Sequence, residues 1–411
     1  MTQPNDYTQY NIILWNGDKF IYHYTTWFLN FDNLEQDFSS ILFLRFDPAT
    51  ESPILNIPDL VNPIIPLINA DPSIFLLLTL SKEPPVYRER QDEYIYSFCC
   101  NFQLFKDLIS SFGHTEFQQK HFLFELLDHI FQGKSGFRKI LARQLPIVHK
   151  GLTDTIPCSV IIPHKGNNDY LANLLLFLDQ LDELHISVGL DQEIGTEIEE
   201  LKTTYSDTSF YSFDPHPVGP YVIRNKLIEN STDQLIYFQD SDDIPCADRF
   251  QQLSAYMLEQ GCQLCGSHEI KLDYYTRTVQ AIRYPRNVSG ALAKSGGHSL
   301  LHPSSAITRN AFYLGGKLSE ERIFGNDTKF LYHSYFVFDS IQNIDEFLYI
   351  RRRHPNSLTT SPETSIGSPA RSKLLLTWLK EFDRVKNGIL RLENTTLNYS
   401  PSNINFKMKK L

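Results

Sequence analysis

What this chain lacks narrows it before anything it contains does. No apolar run approaches the roughly 18 to 20 residues that a membrane-spanning helix needs, residues 74–80 being a typical example. The first ten residues are polar and have no apolar centre, so no secretory signal is expected there. Positive charge is in deficit. The formal net charge of −10 over 411 residues argues against a nucleic-acid partner held by general electrostatics. Cysteine is scarce as well: 6 residues, with Cys99 and Cys100 adjacent and the rest scattered, do not form a disulfide framework and suit a reducing compartment. Cys262 and Cys265 make one C-x-x-C, but no second Cys or His pair stands at ligand spacing, which argues against a structural zinc site. The expectation is a soluble, cytoplasmic protein.

What is present is a large supply of core-forming side chains. Of the residues, 42% are hydrophobic, among them 29 Phe and 21 Tyr, which leaves little room for extensive disorder. A chain of this length accommodates two or three domains. Residues 1–150 form one expected unit, an α+β accessory domain of open role. Short β-rich runs at 11–14, 19–24, 40–46 and 73–80 are separated by Pro, Asn and Asp clusters, and apolar residues recur at helical spacing from about residue 102. His114, His121 and His129 have no carboxylate or cysteine at ligand spacing and are taken as surface or packing residues.

From residue 156 the pattern changes to alternating strand and helix. Strands are expected at 158–162, 185–190, 209–213 and 235–239, with helices at 170–181, 197–205 and 221–230 between them. Connections this short favour parallel neighbours, hence an α/β half-sheet that binds a mononucleotide. Pro163, Asp191 and the cluster Asp240-Ser241-Asp242-Asp243 all follow the carboxyl ends of strands. In open sheets these ends share one edge, where ligands bind. Closely spaced carboxylates there suit a hard divalent cation, and such a cation neutralises a diphosphate. An acidic turn facing solvent is the plain alternative.

Read together, residues 159–163 (Ser-Val-Ile-Ile-Pro), the strand ending in Asp191, Arg224-Asn225, Asp240 to Asp243, Gly315-Gly316, Gly325-Asn326-Asp327 and Arg353-His354 with the residues up to Leu358 resemble inverting family 2 glycosyltransferases of the type A (GT-A) fold. The resemblance covers about residues 156–360. It implies a metal-dependent enzyme that moves a sugar from a nucleotide-diphosphate donor, a UDP-sugar in the first instance, to a hydroxyl of a glycan, lipid-linked or protein acceptor. By the same resemblance Pro163 and the following loop with Lys165 wall the base, and Asp191 accepts the base's N–H. Arg224 lies under the nucleotide, Asp240 and Ser241 lie by the ribose, and Asp242 holds Mn²⁺ or Mg²⁺. Asp327 stands at the place of the general base. His354 is either a second metal ligand or a loop cap before Pro355, and His298 either an acceptor contact or plain loop.

Two departures from the family pattern matter. His164-Lys165-Gly166-Asn167 replaces the usual residues after the first strand, and Asn326 stands where an acid is usual. The second leaves open a non-catalytic nucleotide-sugar or glycan-binding module on the same fold. Arg283, Arg286 and Lys294 are candidates for phosphate contact, with a solvated face as the default. Residues 357–368 read as an exposed linker or lid. The last segment, 361–411, comprises this linker, an amphipathic helix at 370–392 and a polar tail at 394–411 expected to be poorly ordered. The helix stripe of Leu375, Trp378, Leu379, Phe382, Val385 and Ile389 is suited to packing on the rest of the chain, with peripheral membrane contact or homodimer formation as alternatives.

Overall fold

The computed structural model describes residues 157–411, apart from residues 180, 182, 183, 247, 248, 356, 362, 363 and 366. Before them it describes the backbone of seven strands and the helical residues Phe124 and Asp128. The seven are β1 (Ile12–Trp15), β2 (Phe20–His23), β3 (Ser39–Asp47), β4 (Ser52–Ile54), β5 (Phe75–Leu80), β6 (Ser97–Asn101) and β7 (Lys139–Leu141). They form one sheet in the order β2-β1-β3-β5-β6-β7, with β4 paired to β3. All four expected strand runs fall on members of this sheet. The helical pattern after residue 102 lies outside the described residues except at Phe124 and Asp128, and His114, His121 and His129 lie outside them altogether.

The expected α/β alternation is present, with bounds within about three residues of those read from periodicity. β8 (Cys158–His164), α1 (Asn168–Leu178), β9 (Leu184–Leu190), α2 (Thr196–Thr204), β10 (Ser209–Asp214), α3 (Pro220–Asn230) and β11 (Leu235–Phe238) follow one another. β8 and β11 are buried at every residue, which explains why they read as unbroken apolar runs: helices cover both faces. The four strands pair in parallel in the order β11-β8-β9-β10. The chain therefore winds outward from β8 to β10, and α3 then returns it to β11 on the other side of β8. That reversal is the switch point at which an open α/β sheet forms its crevice, and the acidic residues lie on the loop leaving β11.

The sheet continues through β12 (Ile244–Pro245), α4 (Arg249–Gln260), β13 (Leu264–Asp273), β14 (Thr278–Ile282), α5 (Val288–Lys294), β15 (Ala306–Thr308), α6 (Arg309–Leu314), α7 (Asn326–Val337), β16 (Ile341–Arg353), α8 (Pro369–Lys386) and β17 (Lys407–Lys410). The finished sheet has ten strands in the order β12-β16-β13-β15-β11-β8-β9-β10-β17, with β14 on β13. β16 runs parallel to β13 and antiparallel to β12, so it passes the acidic loop and delivers His354 to it. Phe124 packs edge-on to Tyr274, ring centres 5.3 Å apart, and the Tyr274 hydroxyl donates to the Asp128 carboxylate, joining the amino-terminal part to the β13–β14 hairpin.

Three carboxyl-terminal expectations change. The tail is not loose: β17 pairs antiparallel with β10, and Phe406 and Met408 pack against the core while Lys407 and Lys409 face solvent. Strand alternation over five residues is easily hidden by a lysine-rich composition. The described residues of 357–368 form self-bonded turns rather than an exposed linker: the N–H groups of Thr360 and Ser361 donate to the Ser357 carbonyl, and those of Thr364 and Ser365 to the Ser361 carbonyl. The Thr364 hydroxyl donates to the Leu358 carbonyl at 2.6 Å, and Thr364 and Ser368 are buried. α8 stops at Lys386, and its buried stripe is narrow. Trp378 and Phe382 are enclosed against α7, whereas Leu375 and Ile389 remain 40% and 66% exposed. Among the described residues no helix is long and apolar enough to cross a membrane.

Candidate active site

The acidic loop is held from beneath by two buried residues that the sequence did not single out. Gln239, at the end of β11, donates from Nε2 to the carbonyls of Asp240 (2.9 Å) and Asp243 (3.1 Å), and receives Arg249 Nη1 on its Oε1 at 2.8 Å. Arg249 also donates to the carbonyls of Phe238 and Pro303, and its guanidinium lies 5.1 Å from the Tyr349 ring centre. Burial lowers its pKa to about 10, so it remains a cation under the loop. An arginine on the apolar face of a helix, beside Phe250 and Leu253, was the available signal.

Above this base the carboxylates of Asp240, Asp242 and Asp243 place one oxygen each within 4.8 Å of one another. Their surroundings differ. Asp243 is buried and accepts the Arg352 backbone N–H at 2.7 Å; burial, followed by repulsion from Asp242 and Asp240, holds its pKa well above the ordinary value. Asp240 is ion-paired to Arg224 of α3, yet burial and the nearby Asp242 still raise its pKa. For Asp242, burial is outweighed by the hydrogen bond and charge of His354 and by Arg352, so its pKa falls. Arg352 donates from Nε and Nη2 to the Asp242 carbonyl at 3.0 and 2.8 Å while its guanidinium stacks 3.4 Å from the Tyr170 ring centre. The cluster thus concentrates negative charge on Asp242, the member that faces His354.

The donor set fits a hard divalent cation. His354 Nε2 lies 2.9 Å from Asp242 Oδ2, close to the separation of about 3 Å between adjacent ligands of an octahedral ion with bonds of about 2.1 Å. The other ring nitrogen, Nδ1, is buried and has no hydrogen-bond partner. The carboxylate oxygens suit Mn²⁺ and Mg²⁺, and an imidazole beside them tilts the set toward Mn²⁺ over Mg²⁺. Among the described residues this is the one acidic, His or Cys group so assembled. Cys262 and Cys265 are buried free thiols away from it.

Pro163 lies within β8 rather than beyond it, paired with Gly189, and Lys165 sits exposed on the following loop. His164 is buried, with Nδ1 2.9 Å from the Ser241 hydroxyl and Nε2 3.0 Å from Asn168 Oδ1, so it orients the acidic loop rather than walling a base. Asp191 is 5% exposed and accepts the N–H groups of Val218 (2.6 Å) and Gly219 (3.0 Å), tying the end of β9 to the start of α3. Gly219 has φ 91°, a left-handed conformation that favours glycine. Each Asp191 oxygen keeps a second lone pair for a ligand. Arg283 and Arg286 pair with Asp345 at 3.4 and 3.9 Å.

Asp327 lies in the first turn of α7. The cap of that helix is Gly325 at φ 79°, so Asp327 is not the cap residue. Its carboxylate accepts the Tyr221 hydroxyl at 3.1 Å. Burial would raise its pKa, but His302, His298, the Thr328 N–H and Arg371 outweigh it and hold the group ionised below the usual range. Its charge is felt at Asp240, which puts Asp327 within electrostatic reach of the acidic loop. His298, exposed, and His302, buried, line a recess with Asp327. Asn326 has a structural role: its amide donates to the carbonyls of Ser319 (2.6 Å) and Arg322 (3.0 Å), which a carboxylate could not do. An amide here is therefore no sign of a decayed acid.

Tyr221 was invisible in the sequence because its partner is 106 residues away. If Asp327 takes up a proton during the reaction, Tyr221→Phe should lower turnover by roughly tenfold, the scale of a hydrogen bond to a charged group. The acid limb of the pH–rate profile should also move upward, because the ionised carboxylate loses a donor. A profile of kcat against pH for the two proteins checks this, and an unmoved limb would detach Tyr221 from the base.

No family model and no curated protein matches this sequence. Solved structures do match. TarS 1–349 of S. aureus in complex with UDP-GlcNAc aligns at 14% identity over 58% of this chain and 72% of that one, with a TM-score of 0.44. The mannosyltransferase PcManGT from Pyrobaculum calidifontis, in complex with GDP-Man and Mn²⁺, aligns at 11% identity over 58% and 73%, with a TM-score of 0.41. GalNAc-T7 with UDP, GalNAc and Mn²⁺ aligns at 11% identity over 57% and 50%, with a TM-score of 0.42.

Proposed function

We propose that the chain is a metal-dependent, inverting glycosyltransferase of the type A fold, akin to family 2, that transfers a sugar from a nucleotide diphosphate to a hydroxyl acceptor. The observation that carries this reading is the pairing of an acidic cluster at the switch point of the sheet, its oxygens within 4.8 Å of one another, with an ionised carboxylate, Asp327, whose charge reaches Asp240. A divalent cation held by Asp242 and His354 would neutralise the negative charge that builds on the departing diphosphate. Arg224, beside Asp240, orients the nucleotide from below. Asp327 accepts the proton of the acceptor hydroxyl as its oxygen bonds to the sugar carbon and the bond to the diphosphate breaks, and attack from the face opposite the leaving group inverts the centre. Asp191, Pro163 near the end of β8 and the following loop with Lys165 form the base pocket, Ser241 supports the ribose side, and His298 borders the acceptor.

The domain reading that goes with this is an accessory unit at 1–150, a catalytic unit at 156–360 and a carboxyl-terminal segment at 361–411. The exposed Leu375 and Leu376 with Lys373 and Lys380 mark where peripheral membrane contact or a second copy would meet α8.

A donor screen tests the reading, measuring hydrolysis and binding of several nucleotide sugars with Mg²⁺ and with Mn²⁺. Uridine or thymidine diphosphates should compete better than adenosine diphosphate, because an unmatched buried acceptor at Asp191 costs about 1 to 3 kcal/mol. Equal competition by adenosine and uridine diphosphates would remove Asp191 from base recognition. Failure of every nucleotide sugar to bind would remove the enzyme reading.

A further inference from the structure

His302 belongs to none of the roles above, and its setting calls for one. It opens the 3-10 turn His302–Ser304 that leads into β15. The turn is rigidly held: the His302 carbonyl accepts the Ser305 hydroxyl at 2.6 Å, and the Pro303 carbonyl accepts Arg249 at 3.1 Å. The imidazole stacks on Phe238, the last residue of β11, with ring centres 4.1 Å apart and planes at 34°. It is 4% exposed, and its Nε2 is buried without a hydrogen-bond partner. Burial, reinforced by Arg224 and opposed by Asp327, lowers its pKa to about 3, so at neutral pH the ring is uncharged and carries one N–H and one lone pair. A pinned, buried nitrogen left unpaired is rare in native proteins, because the desolvation it suffers goes uncompensated.

Its position identifies what would compensate it. His302 lines the same recess as His298, Asp327, Thr328, Leu300 and Phe330. It also feels both Arg224, the partner of Asp240 on the diphosphate side, and Asp327 on the side of the base. In a direct displacement the sugar must lie between the leaving diphosphate and the group that deprotonates the acceptor. We propose that His302 Nε2 hydrogen-bonds a polar substituent of the transferred sugar, which makes His302 a residue that selects the donor's sugar. The proposal rests on the glycosyltransferase reading and goes beyond it by naming a side chain that touches the sugar and neither the nucleotide nor the cation. Sites built to bond a substrate hydroxyl reject the analogue that lacks it far more strongly than apolar pockets reject a change of size.

Calorimetry in the presence of Mn²⁺ tests this on the full chain with two variants. His302→Phe keeps a ring to stack on Phe238 and removes the nitrogens, and His302→Gln keeps polar atoms without the ring. Each protein is titrated with a nucleoside diphosphate, with the nucleotide sugar that binds wild type best, and with that donor's deoxy-sugar series. His302→Phe is expected to bind the nucleoside diphosphate within about twofold of wild type and the nucleotide sugar roughly tenfold more weakly. One deoxy sugar, disfavoured by wild type, should bind the variant as well as the parent donor does, and His302→Gln should restore part of the wild-type preference. Unchanged nucleotide-sugar affinity in both variants would overturn the proposal. So would an equal loss for nucleoside diphosphate and nucleotide sugar, which marks a merely structural histidine. Absence of any nucleotide-sugar binding by wild type would strike the underlying enzyme reading, a result separable from these two.

Discussion

Asp327→Asn is expected to lower transfer turnover by roughly 10²- to 10⁴-fold while nucleotide-sugar affinity stays within about twofold, because an amide cannot take up the acceptor's proton but occupies the same space. Stability should change little. The carboxylate sits in the first turn of α7 but does not cap it, since Gly325 holds that position. What the helix loses is one favourable charge near its amino end, about 0.3 to 1 kcal/mol. The Tyr221 hydroxyl can still donate to the amide oxygen, so the side chain keeps its orientation. Transfer rate and donor affinity, measured on one preparation, separate the effects. Near-normal turnover would remove Asp327 from the chemistry and send the search for the base to Asp243, His298 and His302.

Removing the cation's anchor should be as damaging by a different route. In Asp242→Ala the Mn²⁺-dependent part of nucleotide-sugar affinity should disappear, while the metal-free protein remains folded, because relief of repulsion among the carboxylates opposes the loss of the His354 hydrogen bond that lowers the pKa of Asp242. The three clustered carboxyl groups repel one another, and Asp242 contributes to the raised pKa values of both Asp240 and Asp243. A carboxyl group with a raised native pKa binds protons more tightly folded than unfolded, so its contribution to stability declines as pH rises through the interval between the unfolded and native values. Deleting Asp242 lessens that decline for both neighbours. Thermal unfolding with and without Mn²⁺ provides the check: wild type should melt higher with the ion present, and the variant should show no such rise. A Mn²⁺ shift of wild-type size in Asp242→Ala would place the cation elsewhere.

Legibility followed the range of the interaction. The parallel heart of the sheet could be read because β8 and β11 are buried apolar runs, β9 and β10 are short β-rich runs, and each helix carries its own period, properties held within about ten residues. The acidic cluster could be read because Asp240, Asp242 and Asp243 are neighbours in the chain. Asp327 could be read only through its resemblance to a family motif. The division of roles among the carboxylates could not be read: Asp243 turned inward to β16, Asp240 paired to α3, and Asp242 left facing His354. Those assignments depend on partners about 16 to 112 residues away.

By itself, then, the sequence determined the alternation of strands and helices from residue 156 and which carboxylates follow β11 in the chain. Each of these follows from local periodicity or from adjacency in the chain. Tertiary structure decided what no local pattern contains. It seated Arg249 and Gln239 under the loop, brought Tyr221 to Asp327, and gave Asn326 two carbonyls to bond. It also turned the lysine-rich tail into an edge strand on β10 and left one nitrogen of His302 buried without a partner. The physical reason is that desolvation and hydrogen bonding depend on what lies nearby in space, and the chain's fold, not its order, decides which groups those are.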